Sequence, residues 1–331
     1  MASPETEPLE ALSDDARRTW HGFLLVYEPL RPELYRYCRY LTRSPWDAED
    51  LAQDALARAF VTLSRMGQAP QNPRAWLFRV ASNLWIDRVR RERTAVSDER
   101  AAEPSTPPPD LQATREAART LVAQLAPQER AAVVLKEVFE FSLEEIAESL
   151  STTVGAVKAA LHRGRSRLEE PELDTTRRAV PEVITAFCAA FNAHDIPRMT
   201  ELLLDHAAIE VVSATVEGPT NSKVLHALLF GVKRMARAAE LGGIEARFFA
   251  GVQPTPPRME LMSCRGEPLL LSWYTHDDGE AVRAITRLEV SDGRISVLRN
   301  YFFTPDFIED VCRELGLPFR SNGYRWWLPA R

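Results

Sequence analysis

The sequence of 331 residues has few lysines, few cysteines and no long apolar run. Only four residues are lysine, so arginine supplies 37 of the 41 basic residues, a bias typical of a GC-rich bacterial genome. No stretch approaches the run of about eighteen apolar residues that a transmembrane helix needs. The acidic N-terminal segment MASPETEPLEALSDD has no apolar core of a secretory signal. We therefore expect a cytoplasmic protein that does not enter a membrane.

The four cysteines, Cys38, Cys188, Cys264 and Cys312, are far apart in the sequence. No Cys-x-x-Cys pair and no cluster of Cys and His occurs, which argues against a zinc site and against a disulfide framework. The sequence therefore predicts no metal and no cofactor. The net charge of −6 argues against a protein that coats DNA through overall basic charge. A local basic patch is nevertheless enough for DNA binding.

The chain length indicates two or three domains, and residues 1–95 have the pattern of an all-helical domain. The segment DAEDLAQDALARAF, residues 47–60, has the apolar spacing of one amphipathic helix. Its polar side carries four carboxylates: Asp47, Glu49, Asp50 and Asp54. A later helix, RAWLFRVASNLWIDRVRRER at residues 74–93, ends in a strongly basic run. We expect these oppositely charged helices to face different partners.

A polar, proline-rich stretch at residues 96–110 cannot hold a helix and predicts a semi-extended linker. The next block, residues 111–174, contains FSLEEIAESLSTTVGAVKAALHRGRSRLEE. Ser142 and Glu145 have the spacing of a capping box, and Thr153 is placed to cap the following helix. A short helix, a polar turn and a basic second helix predict a helix-turn-helix that docks in the major groove of DNA. A solvated basic helix in a bundle is the alternative.

Residues 178–331 change from helices to short strands, and this pattern predicts an α+β domain. The strand segments LLLSWYT, AVRAITRLEV and ISVLRNYFF are separated by Asp-Gly turns. The segment begins with helices, and a longer helix is expected from about residue 222 to 241, before the run of strands. The predicted fold is therefore multidomain, with two all-α domains, the second a helix-turn-helix, followed by an α+β domain.

Residues from about 20 to 170 resemble a bacterial sigma factor of the extracytoplasmic function group. The motifs LYRYCRYLTRSPWDAEDLAQDALARAF, NPRAWLFRVASNLWIDRVRRER and the helix-turn-helix occur in that family's order. The resemblance implies that residues 1–95 are sigma region 2, which binds core RNA polymerase and the −10 promoter element. It implies that residues 111–174 are region 4, which binds the −35 element. The polymerase does the chemistry in this family, so no catalytic residue is implied.

The resemblance also implies roles for individual residues. The four carboxylates of residues 47–54 would bind the β′ clamp helices of the polymerase, and an ordinary solvated acidic face is the alternative. The −10 element would be bound by Asn83, Asp87, Arg88, Arg90 and Arg91. The −35 element would be bound by Thr153, Lys158, His162, Arg163 and Arg165. Ala159 and Ala160 stand where many relatives have polar residues, so the −35 sequence itself does not follow.

Residues 178–331 resemble a SnoaL-like domain of the ketosteroid-isomerase-like cone architecture, in which a curved sheet wraps helices around a pocket. The segment AAFNAHD carries this resemblance. The pocket residues that it implies are His194, Asp195, Trp273, Tyr274 and Tyr301. A structural turn is the favoured interpretation of the first two, because fold analogy alone does not establish catalysis.

The leading interpretation is a sigma factor whose SnoaL-like domain modulates its activity, by binding a small-molecule ligand or by docking on the helical domains. Two alternatives stay open. In the first, the C-terminal domain is an active isomerase or hydrolase that is fused to a transcription module. In the second, the chain is a helix-turn-helix regulator that never joins the polymerase.

Overall fold

The structure is a computed structural model that describes residues 7–66, 68–102, 126–165, 180–212, 215–217, 223–243 and 246–324. These residues form two compact units that divide near residues 172 and 173. The described part of the first unit is helical, and the second unit combines helices with one sheet. The expected order of all-α and α+β parts is therefore confirmed. The predicted domain limits at residues 174 and 178 lie outside the described residues.

The described part of the first unit contains seven α-helices and one short 3-10 helix, Glu28–Leu30. The α-helices are α1 (Glu7–Tyr27), α2 (Arg31–Thr42), α3 (Pro45–Leu63), α4 (Pro73–Ala102), α5 (Pro127–Glu137), α6 (Leu143–Ser149) and α7 (Val154–Arg165).

The break between α2 and α3 has a local cause. Arg43 ends α2 in the left-handed conformation, with φ of 61°. Ser44 then begins α3, because its hydroxyl accepts a hydrogen bond from the amide of Asp47 at 3.3 Å. Pro45 occupies the first turn of α3, where its missing N–H costs no helical hydrogen bond.

A buried ion pair joins α2 to α3. Arg31 Nη2 lies 2.6 Å from Glu49 Oε1, and the two side chains are 5% and 2% exposed. Gln53, one turn further along α3, donates a second hydrogen bond to the same carboxylate oxygen at 2.5 Å. The prediction that Glu49 belongs to the exposed acidic face of α3 is therefore wrong, because its carboxylate turns inward to neutralise Arg31.

The predicted start of the proline-rich linker is also wrong. Helix α4 continues through residue 96 and ends at Ala102, just before the first proline of the linker, Pro104. Residues 97–102 carry no proline and no glycine, so nothing in this segment interrupts the backbone hydrogen bonds of the helix. The rest of the predicted linker, residues 103–110, lies outside the described residues.

Aromatic side chains at the end of α5 pack against α2 and α4. The Phe139 ring lies 5.7 Å from the Tyr37 ring and 5.1 Å from the Phe78 ring, measured between centroids. Beside them, the buried Arg130 donates to the Leu41 carbonyl oxygen at 2.9 Å. The helix-turn-helix block thus shares a core with the N-terminal helices.

The second unit contains six strands and six α-helices among its described residues. The helices are α8 (Glu182–Asn192), α9 (Ile196–Glu201), α10 (Lys223–Phe230), α11 (Val232–Leu241), α12 (Ala246–Phe249) and α13 (Pro305–Leu315). The strands are β1 (Leu203–Val211), β2 (Thr215–Glu217), β3 (Arg258–Cys264), β4 (Glu267–His276), β5 (Gly279–Ser291) and β6 (Arg294–Asn300).

The strands form one mixed sheet in the order β2-β1-β6-β5-β4-β3. Strands β1 and β6 pair in parallel, and every other neighbouring pair is antiparallel. The predicted Asp-Gly hairpin between β5 and β6 is confirmed. Asp292 and Gly293 have φ of 51° and 73°, as a two-residue type I′ turn requires.

Helices on the sheet bury the main core of this unit, and α8 contributes Phe187 and Phe191 to it. The single helix that was predicted for residues 222–241 is instead two helices, α10 and α11, which meet at Gly231. A Cβ atom at Gly231 would lie 2.4 Å from the carbonyl oxygen of Ala227, so the tight junction needs a glycine.

We predict that Glu49→Ala destabilises the first unit by about 3–5 kcal/mol, because it leaves the buried Arg31 without its counter-charge. Native-state hydrogen exchange of the α2 and α3 amides measures this loss. The matched control is Asp54→Ala on the exposed face of α3, which should change the opening free energy by less than about 0.5 kcal/mol. Equal effects of the two substitutions would contradict a structural role for the ion pair.

Candidate polymerase and nucleic-acid interfaces

The acidic face of α3 is smaller than the sequence predicts. Asp54 is exposed and Asp50 is half-buried, whereas Glu49 is buried against Arg31. Asp47 lies at the edge of the face, 40% exposed, and its carboxylate accepts a hydrogen bond from Arg88 of α4 at 2.6 Å. Asp54 is therefore the acidic group of α3 that is directed most clearly towards solvent.

The ion pair between Asp47 and Arg88 places a predicted polymerase-binding residue beside a predicted −10 residue. Burial lowers the pKa of Arg88, but the charge of Asp47 and the hydrogen bond that Arg88 donates to Glu92 outweigh burial and leave the pKa raised. Arg88 therefore remains charged at any physiological pH. Its guanidinium links the acidic face of α3 to the basic end of α4.

The other predicted −10 residues lie on the outer side of α4. Asn83, Asp87, Arg90 and Arg91 are all exposed. Arg91 Nε donates to the main-chain oxygen of Asp87 at 3.3 Å, and Arg90 lies 3.8 Å from the Asp87 carboxylate. This side of α4 therefore presents two guanidinium groups and one amide to solvent. Arginines can neutralise phosphates in such a position.

The helix-turn-helix has the capping that its sequence predicts. Ser142 Oγ accepts from the Glu145 amide at 3.1 Å, and a Glu145 carboxylate oxygen accepts from the Ser142 amide at 2.8 Å. Residues 150–153 form the turn, and Ser151 adopts a φ of 50°. Thr153 Oγ1 then accepts from the Ala156 amide at 3.2 Å and caps α7. Thr153 is thus tied to the helix start.

Helix α7 has one buried face and one exposed face. Val157, Ala160 and Leu161 are buried. Lys158 and His162 are exposed on the outer face, together with the small residues Gly155, Ala156 and Ala159. Small side chains allow the backbone to approach a groove wall closely. They also leave few groups to read bases.

Two further predicted −35 residues have different positions. Arg163 is half-exposed and pairs with Glu129 of α5 at 2.6 Å, so it braces the helix-turn-helix against its neighbour. Arg165 is the last residue of α7, and its side chain lies outside the described structure. Lys158 and His162 are therefore the side chains of α7 that the described structure leaves clearly on the outer face.

The predicted pocket residues of the C-terminal domain have different surroundings in the structure. His194 is exposed and has a left-handed φ of 58° at the end of α8, and Asp195 caps α9 by accepting from the Arg198 amide at 3.0 Å. His194 lies at an open groove of about 480 Å³ beside Asn192 and Arg258. The turn interpretation of these two residues agrees with this geometry.

The three aromatic residues of the predicted pocket have separate surroundings. Trp273 stacks beneath the guanidinium of Arg258, whose central carbon lies 5.2 Å from the ring centroid. Tyr274 belongs to a small core with α11 and α12 residues. Tyr301 is buried against Phe307 of α13, with ring centroids 4.4 Å apart. None of the three belongs to the residues that line the groove at His194.

Three arginines that the sequence pattern did not mark are buried in the structure: Arg31, Arg130 and Arg283, each 7% exposed or less. The only sequence signal was an arginine within an apolar pattern, as in AVRAITRLEV.

Within the ranges that the structure describes, no group of three or more His, Cys, Asp and Glu residues could hold a metal ion. No helix of these ranges is long and apolar enough to cross a membrane.

Two family models match the helical part of the chain. The model for sigma-70 region 2 matches residues 26–95, and the model for sigma-70, region 4 matches residues 115–168. The first match covers α2, α3 and most of α4, and the second covers the helix-turn-helix. The matched models thus include both candidate interfaces.

Two sigma factors of Mycobacterium tuberculosis are among the proteins to which this chain is similar. The ECF RNA polymerase sigma factor SigG of Mycobacterium tuberculosis is 29% identical over 221 residues, which are 56% of this chain and 60% of SigG. The chain thus spans about 60% of the length of this relative. The crystal structure of the M. tuberculosis extracytoplasmic function sigma factor SigJ covers 84% of this chain and 95% of SigJ, at 23% identity and a TM-score of 0.29.

The ECF RNA polymerase sigma factor SigW of Bacillus subtilis is 30% identical over 165 residues, which are 45% of this chain and 88% of SigW. Nearly the whole of SigW is therefore matched within about half of the present chain. On this match and the two family models, the chain belongs to the ECF family of RNA polymerase sigma factors.

Proposed function

We propose that the protein binds core RNA polymerase and directs promoter-specific initiation of transcription in the cytoplasm. The single observation that carries the proposal is the capped helix-turn-helix, whose second helix buries its apolar face and exposes Lys158 and His162. A helix of this kind fits the major groove of duplex DNA. The same chain carries an acidic helix and a basic helix of the type that a polymerase subunit and melted DNA would contact.

The proposed −35 contact uses the outer face of α7. Lys158 would neutralise a phosphate, and His162, one turn further along the same face, would lie close to the backbone or a base edge. The amides at the start of α7 add a favourable site for a phosphate, because a helix N-terminus carries partial positive charge. With Ala159 on this face, affinity would depend more on the DNA backbone than on direct readout of bases.

The proposed −10 contact uses the outer side of α4. An opened promoter exposes single-stranded DNA, which needs a cationic track for the backbone. Arg88, Arg90 and Arg91 would supply that track, and Asn83 would reach a base edge. The acidic groups Asp50 and Asp54 on the neighbouring helix would keep DNA away from the surface that meets the polymerase, because like charges repel.

We propose that the C-terminal α+β domain regulates the helical part rather than acting as an enzyme. General acid–base catalysis needs a desolvated carboxylate or imidazole within reach of a substrate. His194 and Asp195 are exposed, and Asp195 already caps a helix. This arrangement gives the isomerase or hydrolase alternative no catalytic pair at the positions that the sequence suggested.

We predict that Asp54→Lys abolishes binding to core RNA polymerase. The substitution places a positive charge where the proposed contact needs an anion, and like charges across an interface cost several kcal/mol. Analytical size-exclusion chromatography with purified core polymerase measures the binding. The control is Asp205→Lys, which makes the same charge change at a side chain that is 96% exposed in the second unit. Unchanged co-migration of the Asp54→Lys protein would contradict the polymerase interface.

We predict that Lys158→Ala weakens binding to promoter duplex and lowers the magnitude of the slope of log K against log salt by about one, because one phosphate contact is lost. Fluorescence anisotropy of the holoenzyme with a −35 duplex at several salt concentrations measures both quantities. Lys233→Ala, an exposed lysine of α11, is the matched control and should leave the slope unchanged. An identical slope for the two variants would remove Lys158 from the DNA contact.

A further inference from the structure

A buried arginine in the second unit has no acidic partner. Arg283 of β5 is 1% exposed, and no carboxylate of the described residues pairs with it. Its guanidinium donates to Asn322 Oδ1 at 3.0 Å and to the Phe248 carbonyl oxygen, and its Nε has no hydrogen-bond partner. Burial lowers the pKa of Arg283 to about 10. A buried cation that is satisfied only by neutral groups is costly, and an anion would stabilise it.

The sheet is distorted at this arginine. On β4 the consecutive residues Ser272 and Trp273 face Ala284 and Val282 of β5, so Arg283 is the extra residue of a β-bulge. Bulges redirect a side chain and are common beside functional sites. The bulge places the guanidinium over the Phe249 ring, with its central carbon 5.4 Å from the ring centroid.

A buried histidine lies in the electrostatic field of the same arginine. His276 is 4% exposed, and neither ring nitrogen makes a hydrogen bond of normal geometry. Burial lowers the pKa of His276, and the positive charges of Arg283 and Arg320 lower it further. Tyr274, on the same strand, is buried and senses the charge of Arg283 as well. Arg283 Nε and both ring nitrogens of His276 thus have unused hydrogen-bonding capacity in the buried interior of this unit.

The C-terminal segment of the second unit lies against Arg283. Residues 318–324, which we call the strap, run beside β5 with two main-chain hydrogen bonds at Val282, each 3.0 Å long. Arg320 of the strap pairs with Asp278. The side-chain nitrogen of Asn322 donates to the main-chain oxygens of Arg283 and Phe302 at 2.6 and 2.8 Å. These two hydrogen bonds direct the side-chain oxygen of Asn322 towards the Arg283 guanidinium. Polar contacts and the burial of Asn322 and Gly323 against the domain thus hold the strap in place.

We propose that Arg283 binds a small organic carboxylate, and that the amide oxygen of Asn322 occupies the position of a carboxylate oxygen while the strap is closed. A carboxylate oxygen in the place of the Asn322 oxygen would accept a charge-assisted hydrogen bond from Arg283 Nη1, and its negative charge would neutralise the buried guanidinium as the neutral amide does not. An amide oxygen is the nearest neutral analogue of a carboxylate oxygen that the chain itself can supply.

The surroundings of Arg283 favour a carboxylate with an apolar tail over an inorganic anion. The neighbouring core contains Phe249, Val252 and Tyr274, with Met235 and Phe302 packed against them. Apolar atoms of a ligand would gain contact with these side chains as the strap leaves. Binding at this site does not require the protein to be a sigma factor, so its test is independent of the proposed function.

Octanoate is the probe that we would titrate into the full-length protein by isothermal calorimetry, beside acetate, inorganic phosphate and 1-octanol. We expect saturable binding of octanoate and at least tenfold weaker binding of the other three, because each lacks either the carboxylate or the apolar tail. Arg283→Gln should abolish octanoate binding. Arg287→Gln, on the same strand, is the matched control and should leave the binding unchanged.

Asn322→Ala gives the sharpest result, because it removes the in-chain competitor and leaves the proposed ligand groups intact. We expect this variant to bind octanoate about tenfold more tightly. A tenfold change is expected if the strap of the wild-type protein is open, and so able to bind, about one-tenth of the time. A purely structural role for Asn322 predicts weaker binding or none.

Three results would overturn the proposal. Octanoate could fail to bind at millimolar concentration, octanol or phosphate could bind as tightly as octanoate, or Asn322→Ala could weaken binding. If Arg283→Gln does not fold, as judged by circular dichroism, the comparison of the four probes and the Asn322→Ala protein still decide the question.

Discussion

The surface proposed to meet the polymerase depends on the buried ion pair between Glu49 and Arg31, because this pair directs one side of α3 inward. Five residues along a helix correspond to a rotation of about 140° beyond one full turn. With Glu49 directed inward, Asp54 must therefore point away from the core. Gln53, four residues from Glu49, returns to the inner side and bonds to the same carboxylate. One buried pair thus determines which carboxylates of α3 remain for a partner.

The helix-turn-helix depends in the same way on interactions that are hidden from its partner. Phe139 and Phe141 pack against aromatic residues of the N-terminal helices, while α7 packs on α5 and α6. The capping box and the Thr153 cap satisfy the amides at both helix starts. The apolar and capping groups therefore provide the stability, and the outer face of α7 is left free for side chains suited to DNA.

The sequence predicts features with a local cause better than features set by tertiary contacts. Capping residues, Asp-Gly turns and the spacing of apolar residues identified the helix-turn-helix, α3 and the final hairpin. The direction of Glu49 could not be predicted, because it depends on Arg31, eighteen positions away in the sequence. The break at Gly231 and the bulge at Arg283 were missed for the same reason. Both arise from close approach of the backbone rather than from residue periodicity.

The account rests on the claim that this chain enables core RNA polymerase to start transcription at defined promoters. Run-off transcription from fragmented genomic DNA, with purified core polymerase and sequencing of the RNA 5′ ends, tests that claim most directly. The account predicts new start sites that share sequence elements near −10 and −35 and that are absent with core polymerase alone. Identical 5′ ends with and without the protein would contradict it.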